Sequence, residues 1–436
     1  MDLDLINETA MLIWNTALPF MKKSLRKNYY KAFNSAAELL EQTESNETFL
    51  RASLHFETAK YLIEDDLLSE ADTNLIKALT MDYSIPINKL PFPPKPEDNL
   101  NYLQRNLEQY LVYLKRCVTV KTNTYSDPDN TIDILISESD NLKNAKNEEI
   151  RLEILKKCND LIIGFELSEF TYDKEKDLVE EEINDMKRKH ELKLYDDKKH
   201  FTLASYEIAK YAYEYNQFQS VIDTNTKINK IVFNPQKDID QFIAQSMTNL
   251  LAARSYEEFL LTEGIEVGYN TIFNFLDNSK VYSDQEIGMF NVWKQNMLDC
   301  IKEAVRLAVS AFQHWLVFNC AVQLWNSFLP IFKSPNFLQI VNDNLIPVMT
   351  DTFEALNNAV IYLEQTNAET TDTDFFNKID LFVNLTSHYA RILESKGKQD
   401  ECIRICDVML GRKIKSNYRK IFDTIKVYLS LFSLEH

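Results

Sequence analysis

The sequence predicts an all-α fold, a tetratricopeptide-like solenoid of helical hairpins. Three observations carry that prediction. Glycine is scarce, with six in 436 residues, at 164, 264, 268, 288, 397 and 411. Sheet proteins and nucleotide folds need glycine in quantity for turns and phosphate loops. Apolar residues recur at three and four throughout, as at Leu5, Leu12, Ile13 and Ala17. The third observation is a long-range repeat. Ala10, Trp14, Asn15, Leu18 and Pro19 reappear in the same spacing as Ala321, Trp325, Asn326, Leu329 and Pro330. Lys22 and Lys333 extend the match, and Leu40-Glu41-Gln42-Thr43 returns as Leu363-Glu364-Gln365-Thr366. Only four tryptophans occur, so two in one frame mark a repeat. Repeats of helices stack, and stacked arrays generally bind and hold.

Residues 1–83 form the first repeat unit, read as four helices between 3 and 81. Its second half has tetratricopeptide-like spacing. Ala59 sits where the first helix of a pair needs a small residue, and Ala71, Leu75 and Ala78 follow on the second helix. Small residues let two helices approach closely. Residues 84–98 form a Pro-rich linker, because Pro86, Pro91, Pro93, Pro94 and Pro96 forbid a helix there. Its Ile87, Leu90 and Phe92 suit an extended segment lying on a surface. A polyproline ligand for an SH3 or WW module is the sharper alternative.

Residues 99–165 predict three helices, with a turn near Asp127-Pro128-Asp129-Asn130. Residues 166–199 carry dense charge of both signs, expected as a long exposed helix with i,i+4 pairs. Residues 200–282 are further helical pairs, with a weaker frame at Tyr206, Ala209, Tyr213, Val221 and Ile228. Residues 283–436 are the second and fuller repeat unit. There Ala390, Cys402, Cys406 and Met409 repeat the frame of Ala59, Ala71, Leu75 and Ala78. A leading helix with Glu303, Ala304, Ala308, Phe312, Trp315 and Leu316 runs into the Trp325 motif. The first unit has no counterpart of that helix. The chain is therefore expected to be part of a larger array, with an uncovered apolar edge at Leu5, Leu12 and Ile13.

The net charge of -18 disfavours nucleic acid, anionic membrane and acidic tubulin tails as primary contacts. Six cysteines are scattered without a CxxC pair, which suits a reducing compartment. Cys402 and Cys406 read as two core thiols on one helix face. The apolar stretch 308–332 is interrupted by Gln313, His314, Asn319, Gln323 and Asn326, and reads as a buried helix. The acidic start from Met1 to Ala10 does not resemble a signal peptide. No phosphate loop, GxSxG or HExxH occurs, and the six histidines lack ligand spacing. No enzyme activity, cofactor, metal or small-molecule substrate is expected.

The Trp-Asn motif reads as a packing device. Trp14 and Trp325 would fill corners where helices meet, with Asn15 and Asn326 capping or bridging a neighbouring backbone and Pro19 and Pro330, near the helix end, stopping or kinking it.

Trp315-Leu316-Val317, Asn319, Ala321-Val322 and Leu324-Trp325-Asn326 resemble a signature of the cilia- and flagella-associated protein 46 family. So do Asn7, Ala10 and Leu18-Pro19-Phe20, followed by Leu39, Leu40, Arg51, Leu54 and Glu57. The resemblance covers about residues 7–80 and 303–411. It implies a large tetratricopeptide-like array in a projection of the central-pair apparatus of motile cilia, attached to one central microtubule. The expected function is a scaffold subunit in the axoneme of a cilium or flagellum. Its partners would be other projection proteins, with indirect association to microtubules and no membrane insertion. The alternative is a cytosolic tetratricopeptide adaptor that captures a peptide. Such adaptors clamp a carboxylate with Lys, Arg and Asn, where these helices carry Glu, Asp, Tyr and Phe.

Overall fold

A computed structural model describes residues 3–17, 23–80, 100–122, 130–167, 180–234, 238–269, 271–276, 280–366, 373–412 and 414–432. The expected Pro-rich linker lies outside the described residues. So do Leu18, Pro19 and Lys22 of the first motif, and the Asp127-Pro128-Asp129 turn. Seventeen α-helices are found among the described residues, and no strand. Two isolated bridges, Ile265 to Asn274 and Tyr269 to Val341, brace a loop before the eleventh helix.

The chain divides into two compact units. The first comprises Met1–Ala204 and Phe233–Ile239, the second Ser205–Val232 and Asp240–His436. The first unit begins with α1 (Leu3–Ala17), a 3-10 turn (Lys23–Asn28), α2 (Tyr30–Gln42), α3 (Thr48–Glu64) and α4 (Leu68–Leu79). Then come α5 (Leu100–Lys121), α6 (Thr131–Asn144), α7 (Glu148–Gly164) and the start of α8 (Glu180–Glu214). The expected boundary at 199 is not a break, because α8 runs through it. The charged half of α8 is exposed from Asn184 to Lys189, and burial begins at Lys199.

The second unit holds the end of α8, α9 (Phe218–Ile228), α10 (Ile239–Thr262, after its first residue), α11 (Asp284–Ser310) and α12 (His314–Phe332). It continues with α13 (Phe337–Ile340), α14 (Leu345–Thr366), α15 (Thr373–Ser395), α16 (Gln399–Leu410) and α17 (Ser416–Phe432). Ser283 opens α11 with a capping box, accepting from the Glu286 amide while the Glu286 carboxylate accepts from the Ser283 amide. By length and composition α12 could cross a membrane, but most of it is buried inside this fold.

Four hairpins share one connection of three residues. These are α3–α4, α8–α9, α11–α12 and α15–α16. The middle residue is left-handed in each: Asp66, Asn216, Phe312 and Gly397. The next amide then donates back to the last turn: Leu67 to Leu62 at 2.8 Å, Gln217 to Ala212 at 2.7 Å, Gln313 to Ala308 at 3.1 Å and Lys398 to Leu393 at 2.9 Å. This is the Schellman closure, which satisfies carbonyls that a helix end would leave orphaned. Glycine supplies it only once among the four. Three side-chain-bearing residues accept the left-handed backbone, which is how hairpins form in a chain so poor in glycine.

The contacts predicted at close helix crossings follow from these turns. Ala59, Ala71, Leu75 and Ala78 are fully buried, as are Ala390, Cys402, Cys406 and Met409. The Cys402 thiol donates to the Ala390 carbonyl at 3.2 Å, so the two helices touch there through a backbone group. Ala209, Val221 and Ile228 are also fully buried.

Candidate interaction surface

The residues of the repeat signature divide into two groups. Ala10 and Ala321 are buried, as are Ala59, Ala71 and Ala390. Trp14 and Trp325 are half-buried. Trp14 stacks on Phe33 with ring centres 5.6 Å apart, and Trp325 packs against Phe332 and the His388 ring, each at 5.5 Å. Leu329 is half-buried.

The remaining members correct the packing expectation. Asn15 and Asn326 are exposed, so neither bridges a buried backbone group. Trp315 is 46% exposed, and its indole N–H donates to Gln313 Oε1 at 2.9 Å, one turn from the chain reversal. Pro330 is exposed and lies inside α12, which continues to Phe332. It stands near the helix end, as expected, without stopping the helix at its own position. Trp315, Asn319, Val322 and Asn326 form one exposed stripe on α12, following its three- and four-residue period.

One hairpin, α11–α12, was not expected from the sequence. Val305, Val317, Ala321 and Leu324 stand at the same distances from Phe312 as Ala59, Ala71, Leu75 and Ala78 from Asp66, and all are buried. The signal was weak because Val305, Val317 and Leu324 occupy the three small positions and phenylalanine occupies the turn.

In the first unit, α1 and α2 flank an apolar groove of about 710 Å³. Leu12, Ile13, Thr16 and Ala17 form one wall; Asn28, Tyr29 and Ala32 form the other. Leu12 is 67% exposed and Leu5 61%. The expected apolar edge on α1 is therefore present. Behind Tyr29, Arg26 pairs with Glu64 and also lies 3.7 Å from Glu57, which Lys60 approaches at 2.5 Å.

A second cavity of about 660 Å³ lies where α5, α6 and α8 approach one another in the first unit. Arg116 is its hub. Its guanidinium donates to Asp133 at 2.6 Å, to Asn130 at 3.2 Å and to His200 Nδ1 at 3.0 Å. Arginine stays protonated, so Nδ1 must accept and His200 is neutral. Burial, then Arg116 and Lys199, pushes the imidazole down to about 3. Asn130 also caps α6 by accepting from the Ile132 amide. The cluster thus fastens three helices and holds its histidine in a fixed protonation state.

Other buried polar groups do the same. Asp238 accepts from Tyr195 at 2.6 Å and pairs with Lys199 at 3.1 Å. Lys294 donates to the carbonyls of Tyr269 and Thr271 at 3.0 and 3.3 Å, fixing the braced loop to α11; burial pushes it down to about 8. Glu257 on α10 accepts from Gln323 and Ser327 of α12, each at 2.9 Å. Its carboxyl is raised by burial against the pull of those two donors. None of the six cysteines is in a disulfide, and burial pushes Cys158, Cys300 and Cys320 up to about 12. Among the described residues no group of three His, Cys, Asp or Glu is placed to hold a metal ion.

What these features offer is surface. The groove on α1 and the stripe of α12 expose aliphatic and aromatic side chains, among them Leu12, Trp315 and Val322.

No protein-family model matches the chain. A solved circular tandem repeat protein "with novel repeat topology and enhanced subunit contact surfaces" aligns over 98% of this chain and 95% of its own. Its TM-score is 0.24 and its identity 9%, too low to relate the two folds. Over 159 residues the chain is 31% identical to cilia- and flagella-associated protein 46 of Chlamydomonas reinhardtii. That stretch is 36% of this chain and 5% of the relative, so the similarity is to a small part of a much longer protein.

Proposed function

We propose that the chain is a scaffold subunit of the central-pair apparatus of motile cilia. It would hold neighbouring projection proteins by protein–protein contact, within the axoneme and without a chemical step. The observation that carries this reading is the 31% identity over 159 residues to a protein named for cilia and flagella. The helical hairpins support it, since arrays of this kind offer long contact surfaces. So do the polar clusters around Arg116, Asp238 and Glu257, which join helices to one another. The net charge of -18 favours protein neighbours over acidic tubulin tails, so association with microtubules would be indirect.

Fractionation of axonemes from cells carrying a tagged chain tests the proposal. The chain should stay with the detergent- and salt-extracted axoneme. Axonemes that lack it should lose neighbouring projection subunits while both central microtubules remain. A chain that washes out with soluble protein, or one that binds bare microtubules tightly at physiological salt, would overturn the reading.

A further inference from the structure

The loop between α10 and α11 crosses three parts of the second unit, and one side chain pins it. Ile265 and Val267 turn inward and are buried. Tyr269 bridges to Val341, and the Gly268 carbonyl accepts from the Asn342 amide at 3.2 Å, so the loop lies along the connection from α13 to α14. A methyl group on Gly268 would stand 2.8 Å from Ile331 Cγ2, so the loop also presses on the end of α12. From α11, Lys294 donates to the carbonyls of Tyr269 and Thr271 at 3.0 and 3.3 Å.

Lys294 is 2% exposed, and the two groups it bonds are neutral carbonyls. Glu266, half-buried on the loop, acts on it across space; among the described residues α10, α12, α13 and α14 bring it no other charge. A buried ammonium held by dipoles alone is costly, and the cost falls on the state that buries it. With the loop seated, Lys294 is out of water and holds its proton less firmly. With the loop lifted, water reaches the amine and its ordinary affinity returns. A deprotonated amine keeps two N–H donors, enough for the carbonyls of Tyr269 and Thr271.

We infer that Lys294 makes this loop a proton-controlled strap: protonation of its amine favours the lifted loop, and loss of the proton seats it. In the seated state burial pushes Lys294 down to about 8 from an ordinary 10.5. The seated state therefore binds the proton more weakly than the lifted one. Opening is easiest at and below neutral pH and becomes harder as pH rises. Global unfolding follows the same sign. With a depressed folded value, the group adds stability as pH climbs from about 8 to about 10.5.

Hydrogen exchange of the full chain tests this, read by mass spectrometry over residues 263–276 and corrected for the intrinsic effect of pH on exchange. It yields the opening constant of the loop. Between about pH 7 and pH 9 that constant should fall about tenfold, as the two affinities for the proton require. The Lys294→Met chain keeps a long side chain without a titrating group, and its opening constant should stay flat. Lys294→Arg should be flat as well, since a guanidinium holds its proton through this range, which keeps the test decisive if the methionine variant misfolds. Gly268→Ala, which crowds Ile331, should raise opening by one factor at every pH and leave the tenfold fall in place. A constant that does not change with pH in the unaltered chain would overturn the inference. So would a fall that survives in either Lys294 variant, by placing the titrating group elsewhere on the loop.

Discussion

The two repeat units place the same motif in different surroundings. In the second, α12 is clasped by α10 and α11, and Leu316, Cys320, Gln323 and Ser327 are buried. In the first, the equivalent face of α1 is open, and Leu5, Thr9, Leu12 and Thr16 are exposed. Beyond that face the units agree closely. Ala59 and Ala390, Ala71 and Cys402, and Leu75 and Cys406 are all fully buried. The hairpin is the fixed part of the design, and the leading face is the part that varies with what covers it.

The largest test of this contrast is a pair of matched truncations. Leu316→Ala should cost about 2–5 kcal/mol, as for a buried leucine whose site cannot collapse. Leu5→Ala, at the matching exposed position, should stay within about 0.5 kcal/mol. Urea unfolding of the full chain, followed by far-UV circular dichroism, reads both. Equal costs would mean that the α1 face is covered after all.

Acid should separate the units next. His55 in the first unit is fully buried, with Nδ1 2.8 Å from Asn74 Oδ1, and burial lowers its affinity for a proton. His388 in the second is half-buried among Trp325, Phe332 and Phe337, and is also lowered by burial. A histidine with a depressed folded pKa is neutral when folded and charges more readily when unfolded. Its stability contribution is present above the unfolded value near 6.5 and is lost as pH falls below it. The melting temperature should therefore drop on acidification from pH 7 towards pH 5. His55→Asn should flatten that drop more than His388→Asn. The expected difference is about 1 kcal/mol at the acid end, and a steeper profile in His55→Asn would contradict the burial argument.

The smallest effect concerns the matching turns. Gly397 has φ 72° with open space where a side chain would stand, so Gly397→Ala should cost about 1 kcal/mol from backbone strain alone. Asp66, at φ 56°, is its counterpart in the first unit, and Asp66→Gly should gain about 0.5 kcal/mol. Calorimetric melting of the two variants should move in opposite directions.

Much of the hairpin architecture was legible in the sequence because it rests on periodic small residues, as at Ala59, Ala71 and Ala390. The exposed Leu5 and Leu12 on α1 were legible too, by comparison with the second copy of the repeat. The exposure of Trp315, Asn15 and Asn326 was not. A tryptophan on a helix reads as core by its area, and only its direction around the helix shows that it points outward. The α11–α12 hairpin was hidden by Phe312, since turn residues are sought as glycine or asparagine. The Arg116 cluster was also out of reach. Its members lie as far apart as Arg116 and His200, and nothing local marks them as partners.

The three-residue turns also bear on how the chain is made. Each is closed by a hydrogen bond from one amide to a carbonyl only five residues earlier, as from Leu67 to Leu62 and from Lys398 to Leu393. The two helices that a turn joins need nothing distant to find each other. Closure of such a loop is fast and its entropic cost is small. The order of synthesis then becomes the order of assembly. As each pair leaves the ribosome it can fold against the pair before it, and α1 and α2 can form before α11 has been translated.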